Sequence, residues 1–527
     1  MIRGPRIRGR LTRVLVVAGF ALLLAAWVGS NAPGFGPDEP ANFIKEVGAG
    51  TGQWTGVPGR LAHPAFGNQP GATERINWIN RNSRVFRLPA GLDPGAAHLP
   101  CDLFRNQRST RCLNRPPTHP PATRALSYVG TYEPYVYAVP GAAMARTHTV
   151  LGALYTGRAV TAGLVAVLLA VAVAAAWDTR TGPVSITGVL LAASPMVLFL
   201  GSVLGTNGIE IAGALALFTL VLRMGRVGPA PAWTWPAAGL VGALVALSRP
   251  TGPAWVLLAP MLGWVLADHR REDHDPKRGG VGRPIGSRWG WRVAWLVPAA
   301  MGVAATLVWE RAVQPHPRMH RAVAVEGLRQ LDVDAQAWLR QWVGVFGWAS
   351  LPMPEFAYRL WWAAVIVLVG LAFALGSARA RLGLVAVLVG AAALAIGLDV
   401  LVLRQTRFPV YGRYLLPLAV LVPLTAGELV ARRADRLPAG VRRAVQITVP
   451  LVVTTVHLVA LWADGRRYAV GVDGPRWYLD HAQWTPSGGW TLWAALAGAG
   501  GACLLGAVLT GLRTGPDRRQ QSQPGPG

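Results

Sequence analysis

Twelve mainly apolar stretches constrain this chain more than any other feature of it. A membrane-crossing helix needs about 20 such residues. The runs fall at 14–30, 158–177, 183–204, 207–223, 233–248, 253–267, 293–309, 359–376, 384–402, 415–431, 446–463 and 490–511. Apolar residues make up 52% of the chain and charged residues 14%, against roughly 25% charged in a soluble domain. That balance excludes a disordered or fibrous class and a single large soluble enzyme. The expected fold class is an all-α polytopic membrane protein of about twelve transmembrane helices.

The first run, 14–30, follows Arg3, Arg6, Arg8, Arg10 and Arg13. Pro33 disfavours cleavage after Ala32, so the run reads as a retained helix rather than a signal peptide. Short Arg-rich loops stay cytoplasmic. The loop 268–292, the loop 431–444 and the pairs Arg223/Arg226 and Arg379/Arg381 all fit one alternation. It places both termini in the cytoplasm. The expected organisation is a basic N-terminus at 1–13, a membrane unit at 14–511 with a large extracytoplasmic loop inserted at 31–130, and a disordered cytoplasmic tail at 512–527. The partly apolar segment 131–150 leaves no room for two further crossings before residue 178, so it reads as interfacial or half-inserted.

The net charge is +26, from 51 Lys+Arg against 25 Asp+Glu, and Lys45 and Lys277 are the only lysines. Arg, Ala, Gly and Trp in place of Lys is what a GC-rich coding sequence produces. No nucleic-acid-binding motif accompanies the charge, so nucleic acid is not an expected partner. Nor is there a Walker A, GxSxG, CxxC or HExxH string. His316 and His320 have helical metal spacing, but Pro317 interrupts the pair and no third ligand presents itself, so no metal site is expected. Cys101 and Cys112 lie in the outer loop, where an oxidising compartment permits a disulfide between them. Cys503 reads as packing.

The remaining polar residues gather on the expected outer face. Asp38 and Glu39 stand between Pro37 and Pro40 directly after the first run. A carboxylate there is a candidate general base or a ligand for a divalent cation. Asp38 equally has the position to cap a helix over 41–47. Asn207 and Glu210 are spaced as a capping box and are also candidate ligands. Arg249 precedes Pro250. Arg404, Arg407 and Arg413, with Tyr411 and Tyr414, crowd one short outer loop. Three arginines there oppose the positive-inside trend, and an anionic partner would compensate them: a phosphate gripped by the guanidinium fork, lipid headgroups, or Asp399.

Several strings, taken together and in order, resemble the bacterial membrane-protein family catalogued as domain of unknown function 2142. They are GPDEPANF at 36–43, the two-Cys loop at 101–112, ASPMVLFLGSVLGTNGIEIAGAL at 193–215, LSRPTGP at 247–253, VFGWASLPMP at 345–354 and VYGRYLLPL at 410–418. That family is similar in turn to the GT-C membrane glycosyltransferases, which carry an acidic motif after their first helix and take sugars from polyprenyl phosphate on the outer face. The resemblance implies a GT-C-like fold in a bacterial plasma membrane. It implies a glycan or protein acceptor, and Asp38 and Glu39 at the acidic position. His119, in THPP at 118–121, resembles a His-Pro stretch of some relatives. Arg249, Arg404, Arg407 and Arg413 would hold the phosphate, with Tyr411 and Tyr414 hydrogen-bonding it. The segment 128–137 matches that pattern only loosely. The alternatives are a transporter or flippase of lipid-linked glycans, which predicts broken or charged spans near the bilayer midplane, and a non-catalytic envelope assembly protein.

Overall fold

The computed structural model describes residues 5–61, 71–93, 102–114, 122–226, 230–267, 296–314 and 323–512. The protein is mostly helical. Among the described residues, eight helices are long and apolar enough to cross a membrane. They are α1 (Pro5–Ser30), α5 (Val150–Ala176), α8 (Asn207–Met224), α13 (Glu355–Leu375), α14 (Ala378–Thr406), the continuous pair α15 (Gly412–Ala419) and α16 (Leu421–Ala431), α17 (Ala439–Val470) and α18 (Gly489–Leu512). The expected dozen is not reached by continuous spans. α9 (Thr234–Ala246) and α10 (Gly252–Val265) are apolar but short, and α11 (Val297–Val313) packs beside them.

The run 183–204 is not one span. It divides into α6 (Thr187–Ala192) and α7 (Pro195–Leu200). Pro195 has no N–H to continue the ladder, and Ser194 begins a new helix in extended conformation. The carbonyl of Ala193 falls outside both helices and accepts His457 Nε2–H at 3.0 Å. Apolarity alone does not show such a break. A second departure is α12 (Val323–Gly344), an amphipathic helix where no apolar run signals one.

α1 and α18 run antiparallel. Thr12 and Thr510 bond at 2.9 Å near one end. Gly19 lies against Gly500 and Leu504 in the middle, and Gly29 against Trp493 at the other end. The close approach depends on the missing side chains, as in membrane-helix pairs generally. α8 and α15–α16 are largely enclosed, whereas α14 is mostly exposed. Leu382 and Val389 on α14, like Met261 and Trp264 on α10, present their apolar surface outward, as lipid-facing residues do.

One end of the bundle is built from arginines on helix C-termini. Arg226 grips Glu428 with two bonds of 2.7 Å and reaches Ala176 O. Arg432 bonds Glu428, Leu266 O and Leu222 O, and Arg433 bonds Leu375 O. Cations satisfy orphan carbonyls and the helix dipole there.

The opposite end carries the polar loops. α2 (Glu39–Gly50) lies under a sheet in the order β1 (Val57–Pro58), β2 (Arg84–Arg87), β3 (Arg124–Ser127), all antiparallel. Phe43, Ile44 and Val47 of α2 share a small core with Phe86, Leu88, Ala125 and Met144. α4 (Pro134–Met144) crosses α2 where Gly50 and Gly141 bring the backbones together. Its 11 residues extend only about 16 Å at 1.5 Å each. That is too short to cross a membrane, so residues 131–150 do not form a span. α3 (Ala72–Asn82) lies against the C-terminal end of α14. Loop 102–114 is tied to the end of α17 by Arg467, which bonds Asp102 O (2.6 Å) and Arg108 O (2.8 Å).

Candidate functional site

The site begins where α1 turns into α2. Asp38 occupies the N-cap position of α2, but its side chain makes no cap bond and its backbone is left-handed, φ +57°. This conformation is disfavoured for a residue with a Cβ. The capping reading is therefore set aside. The carboxylate turns instead to two distant partners: Tyr128 donates to Oδ1 at 3.0 Å, and Arg413 Nη2 donates to Oδ2 at 3.1 Å. The Asp38 side chain keeps 25% of its exposure while that of Arg413 keeps 8%, so a buried cation presents a reachable carboxylate.

Glu39, the next residue, has the opposite fate. It is fully buried. Arg158 of α5 grips it with Nε to Oε1 at 2.8 Å and Nη2 to Oε2 at 2.6 Å. Leu204 N–H completes Oε1, and Gly34 and Gly36 N–H complete Oε2. Arg158 also bonds the carbonyls of Val28, Asn31 and Ala32. One guanidinium thus closes the end of α1 and fastens the start of α2, and the turn between them carries Asp38.

Around Asp38 the arginines and tyrosines form an alternating stack. The Arg413 guanidinium lies 4.7 Å from the Tyr411 ring centroid and 4.8 Å from that of Tyr414. Arg249 lies 4.8 Å from the other neighbour of that row, the Tyr414 ring, and 5.9 Å from Tyr132. Guanidinium groups favour such faces. Arg413 also donates to the Tyr414 hydroxyl at 2.9 Å. Arg249 in turn is held by Asn207 Oδ1 at 2.6 Å and by Glu210 Oε2 at 3.4 Å. Glu210 Oε1 accepts from Thr251 and Trp255. Asn207 and Glu210 are thus not a capping box: Thr206 holds the N-cap position without a side-chain bond, and the two side chains serve Arg249.

α12 positions the Arg413 loop. Trp338 Nε1 donates to Val410 O at 2.7 Å, Gln341 accepts Gly412 N–H, and Asp399 Oδ1 accepts Val410 N–H. Asp399 therefore serves the loop backbone. Arg404 and Arg407 end α14, where α3 lies against them and Arg407 O accepts Arg75 Nε at 2.8 Å. The described bonds to Asp38 include Arg413 but neither of those two. His119 of the His-Pro stretch and Cys101 of the Cys101–Cys112 pair lie outside the described residues, as do His316 and His320.

Three participants escaped the reading of the sequence: Tyr128, Tyr132 and Arg158. The first two sit in the segment 128–137, which matched the GT-C pattern only loosely. The third carried a usable signal, because a charge inside an apolar helix is a functional candidate by default. The 128–133 segment is gripped from both sides. Lys45 donates to Gly130 O at 2.8 Å and to Trp54 O, and burial pushes its ammonium down to about 7. Trp309 of α11 donates to Thr131 O. Glu133, beside it, is held well above the usual carboxyl range by burial and by a hydrogen bond with Glu310. Burial and the charge of Asp38 raise the Tyr128 phenol, which keeps it protonated as a donor.

Chemically, this is one partly exposed carboxylate with the buried guanidinium of Arg413, the half-buried one of Arg249 and tyrosine hydroxyls beside it. It sits at the end of the bundle opposite the arginine-capped one. No curated protein and no solved structure matches the chain. A family model described as "Predicted membrane protein (DUF2142)" matches residues 20–422 and takes in every part of this site. The chain belongs to the DUF2142 family of predicted membrane proteins.

Proposed function

We propose that the protein is a membrane glycosyltransferase of GT-C type, moving a sugar from a polyprenyl-phosphate donor to a cell-envelope acceptor on the outer face of the bacterial plasma membrane. The observation that carries this reading is Asp38. It is kept in a left-handed backbone with its carboxylate withheld from the helix it precedes, and turned toward Tyr128 and Arg413. Strain of this kind persists where the surroundings over-determine it, often at functional sites.

In the reaction, Asp38 removes the proton of an acceptor hydroxyl as its oxygen attacks the anomeric carbon. The bond from that carbon to the phosphate oxygen breaks, and the lipid phosphate leaves with the electron pair. Protonation of Asp38 removes the counter-charge of Arg413 at that moment. The guanidinium is then free to stabilise the leaving phosphate. Tyr414, which already accepts from Arg413, has its own O–H to donate. Arg249, and then Arg404 and Arg407, supply further positive charge at the same end. Glu39 acts as a positioning residue through Arg158, and any divalent cation would have to bind at Asp38 instead. The acidic site and basic rim need no nucleotide-binding fold, which suits a lipid-borne donor.

A second reading has one observation in its favour. The break between α6 and α7, with His457 on the Ala193 carbonyl, resembles the interrupted helices of transporters. A complementation pair separates the two. Wild type and Asp38→Asn are expressed at matched levels in a deletion strain, and envelope glycans and polyprenyl-phosphate sugars are profiled by mass spectrometry. Loss of a general base costs about 10²–10⁴-fold in rate. Asp38→Asn should therefore leave the glycan missing and its lipid donor accumulated. Full rescue by Asp38→Asn would remove the transferase reading and favour transport.

A further inference from the structure

The sheet above α2 has two unlike faces. Phe86, Ala125 and Ser127 are buried against α2, and Ser127 Oγ bonds Ala41 O. The other face carries Arg87 and Arg124, which are exposed and stand directly opposite each other in register. Beside them runs an apolar row, Val57–Val85–Leu126. Alternation along β3 places Arg124 and Leu126 on one face, and burial continues that alternation to Tyr128, whose phenol ends on Asp38. From Arg124 to Tyr128, the first residue after the strand, an extended chain covers about 13 Å.

Like charges directly opposite each other weaken a sheet. Neither arginine has an ion pair among the described residues. Ala122 N–H donates to Asp93 Oδ2 on the adjoining loop. The backbone of Arg87 is nevertheless held in place, because Gln53 bonds both its N–H and its carbonyl at 2.8 Å. Residues 31–130 contain ten Arg and Lys45 against six Asp and Glu, a balance of +5. A concentrated positive field of this kind recruits anions.

We infer that the open face of this sheet is the acceptor track, and that the acceptor is a linear polyanion bearing free hydroxyls. Arg87 and Arg124 hold one anionic group of the polymer. The apolar row supports the chain between, and a hydroxyl about one strand-length away reaches Asp38. The inference rests on the transferase reading for its last step alone; the docking surface stands on the sheet.

The test is binding of labelled polymers to the full-length protein in neutral-lipid nanodiscs. The probes are a poly(glycerol phosphate) oligomer, a polygalacturonate oligomer of equal charge, and neutral dextran. The two polyanions distinguish phosphate from carboxylate as the source of charge. Wild type should bind at least one polyanion in a salt-dependent way and bind dextran far more weakly. The double variant Arg87→Gln/Arg124→Gln should bind about tenfold or more weakly, as expected for two lost charge-assisted contacts, with a shallower salt dependence. Arg87→Lys/Arg124→Lys should recover most of the affinity, which a folding defect would not allow. Unchanged binding by the Gln pair, or equal binding of dextran, overturns the track. Asp38→Asn should leave binding intact. If the Gln pair weakens binding while Asp38→Asn still rescues the glycan phenotype, the track stands and the transferase reading falls. If Asp38→Asn abolishes the glycan while the Gln pair binds normally, the reverse holds.

Discussion

Asp38 and Glu39 are adjacent in the chain and opposite in environment. Both are carboxylates beside a proline after an apolar run, and nothing in the local string separates them. The tertiary partners do. Glu39 meets Arg158, 119 residues away, and has its oxygens filled. Asp38 meets Arg413, 375 residues away, and stays reachable. The Glu39–Arg158 pair is fully buried, so removing one partner strands a charge in a low-dielectric interior. We expect Arg158→Ala to cost about 3–5 kcal/mol and to lower the thermal midpoint in detergent sharply. Restoring part of the loss by pairing it with Glu39→Gln would identify the stranded charge, rather than lost packing, as the cause. That Asp38 and Arg249 are candidates for one site was legible in the sequence. Arg158 was less so, because its apolar neighbours made it look like the edge of a span.

At the scale of elements, apolar length located eight helices long enough to span, because burial in lipid demands it, but not the expected dozen. Two of the departures have a plain physical cause. Pro195 divides a run that is apolar throughout, since a missing N–H leaves hydropathy unchanged. α12 is amphipathic and packs by one side on the Arg413 loop, so it never becomes an apolar run. The α1–α18 pair shows what holds the long spans together. A Cβ at Gly500 would meet Gly19 O and the start of Leu23 at 3.0–3.2 Å, whereas one at Gly498 meets nothing within 4 Å. Gly500→Leu should therefore destabilise the protein by roughly 1–3 kcal/mol, and Gly498→Leu on the same helix should be nearly silent. Thermal unfolding of the two variants in one detergent checks this; equal midpoints would rule out the close crossing.

The whole molecule has two chemically distinct ends. Arginines cap helix C-termini at one, and Asp38, Arg249 and Arg413 meet at the other. The antiparallel α1 and α18 put Thr12 and Thr510 together at the first end. If the positive-inside rule sets the orientation, cysteines placed at Ser377 or Arg433 should label with an impermeant reagent only after the cells are opened. Cysteines at Thr123 or Asp473 should label in intact cells. Labelling of Thr123 and Ser377 from the same side would break the arrangement. The sequence by itself determined that the chain is a multi-helix membrane protein with a polar loop after its first helix. Lipid selects apolar length locally, and short basic loops report their own side. Only the tertiary structure decided which polar residues form the site, because Asp38, Tyr128, Asn207, Arg249 and Arg413 come from five separate stretches of chain. Their meeting depends on which helices pack together, and apolar spans that all look alike to lipid do not encode that in any local pattern.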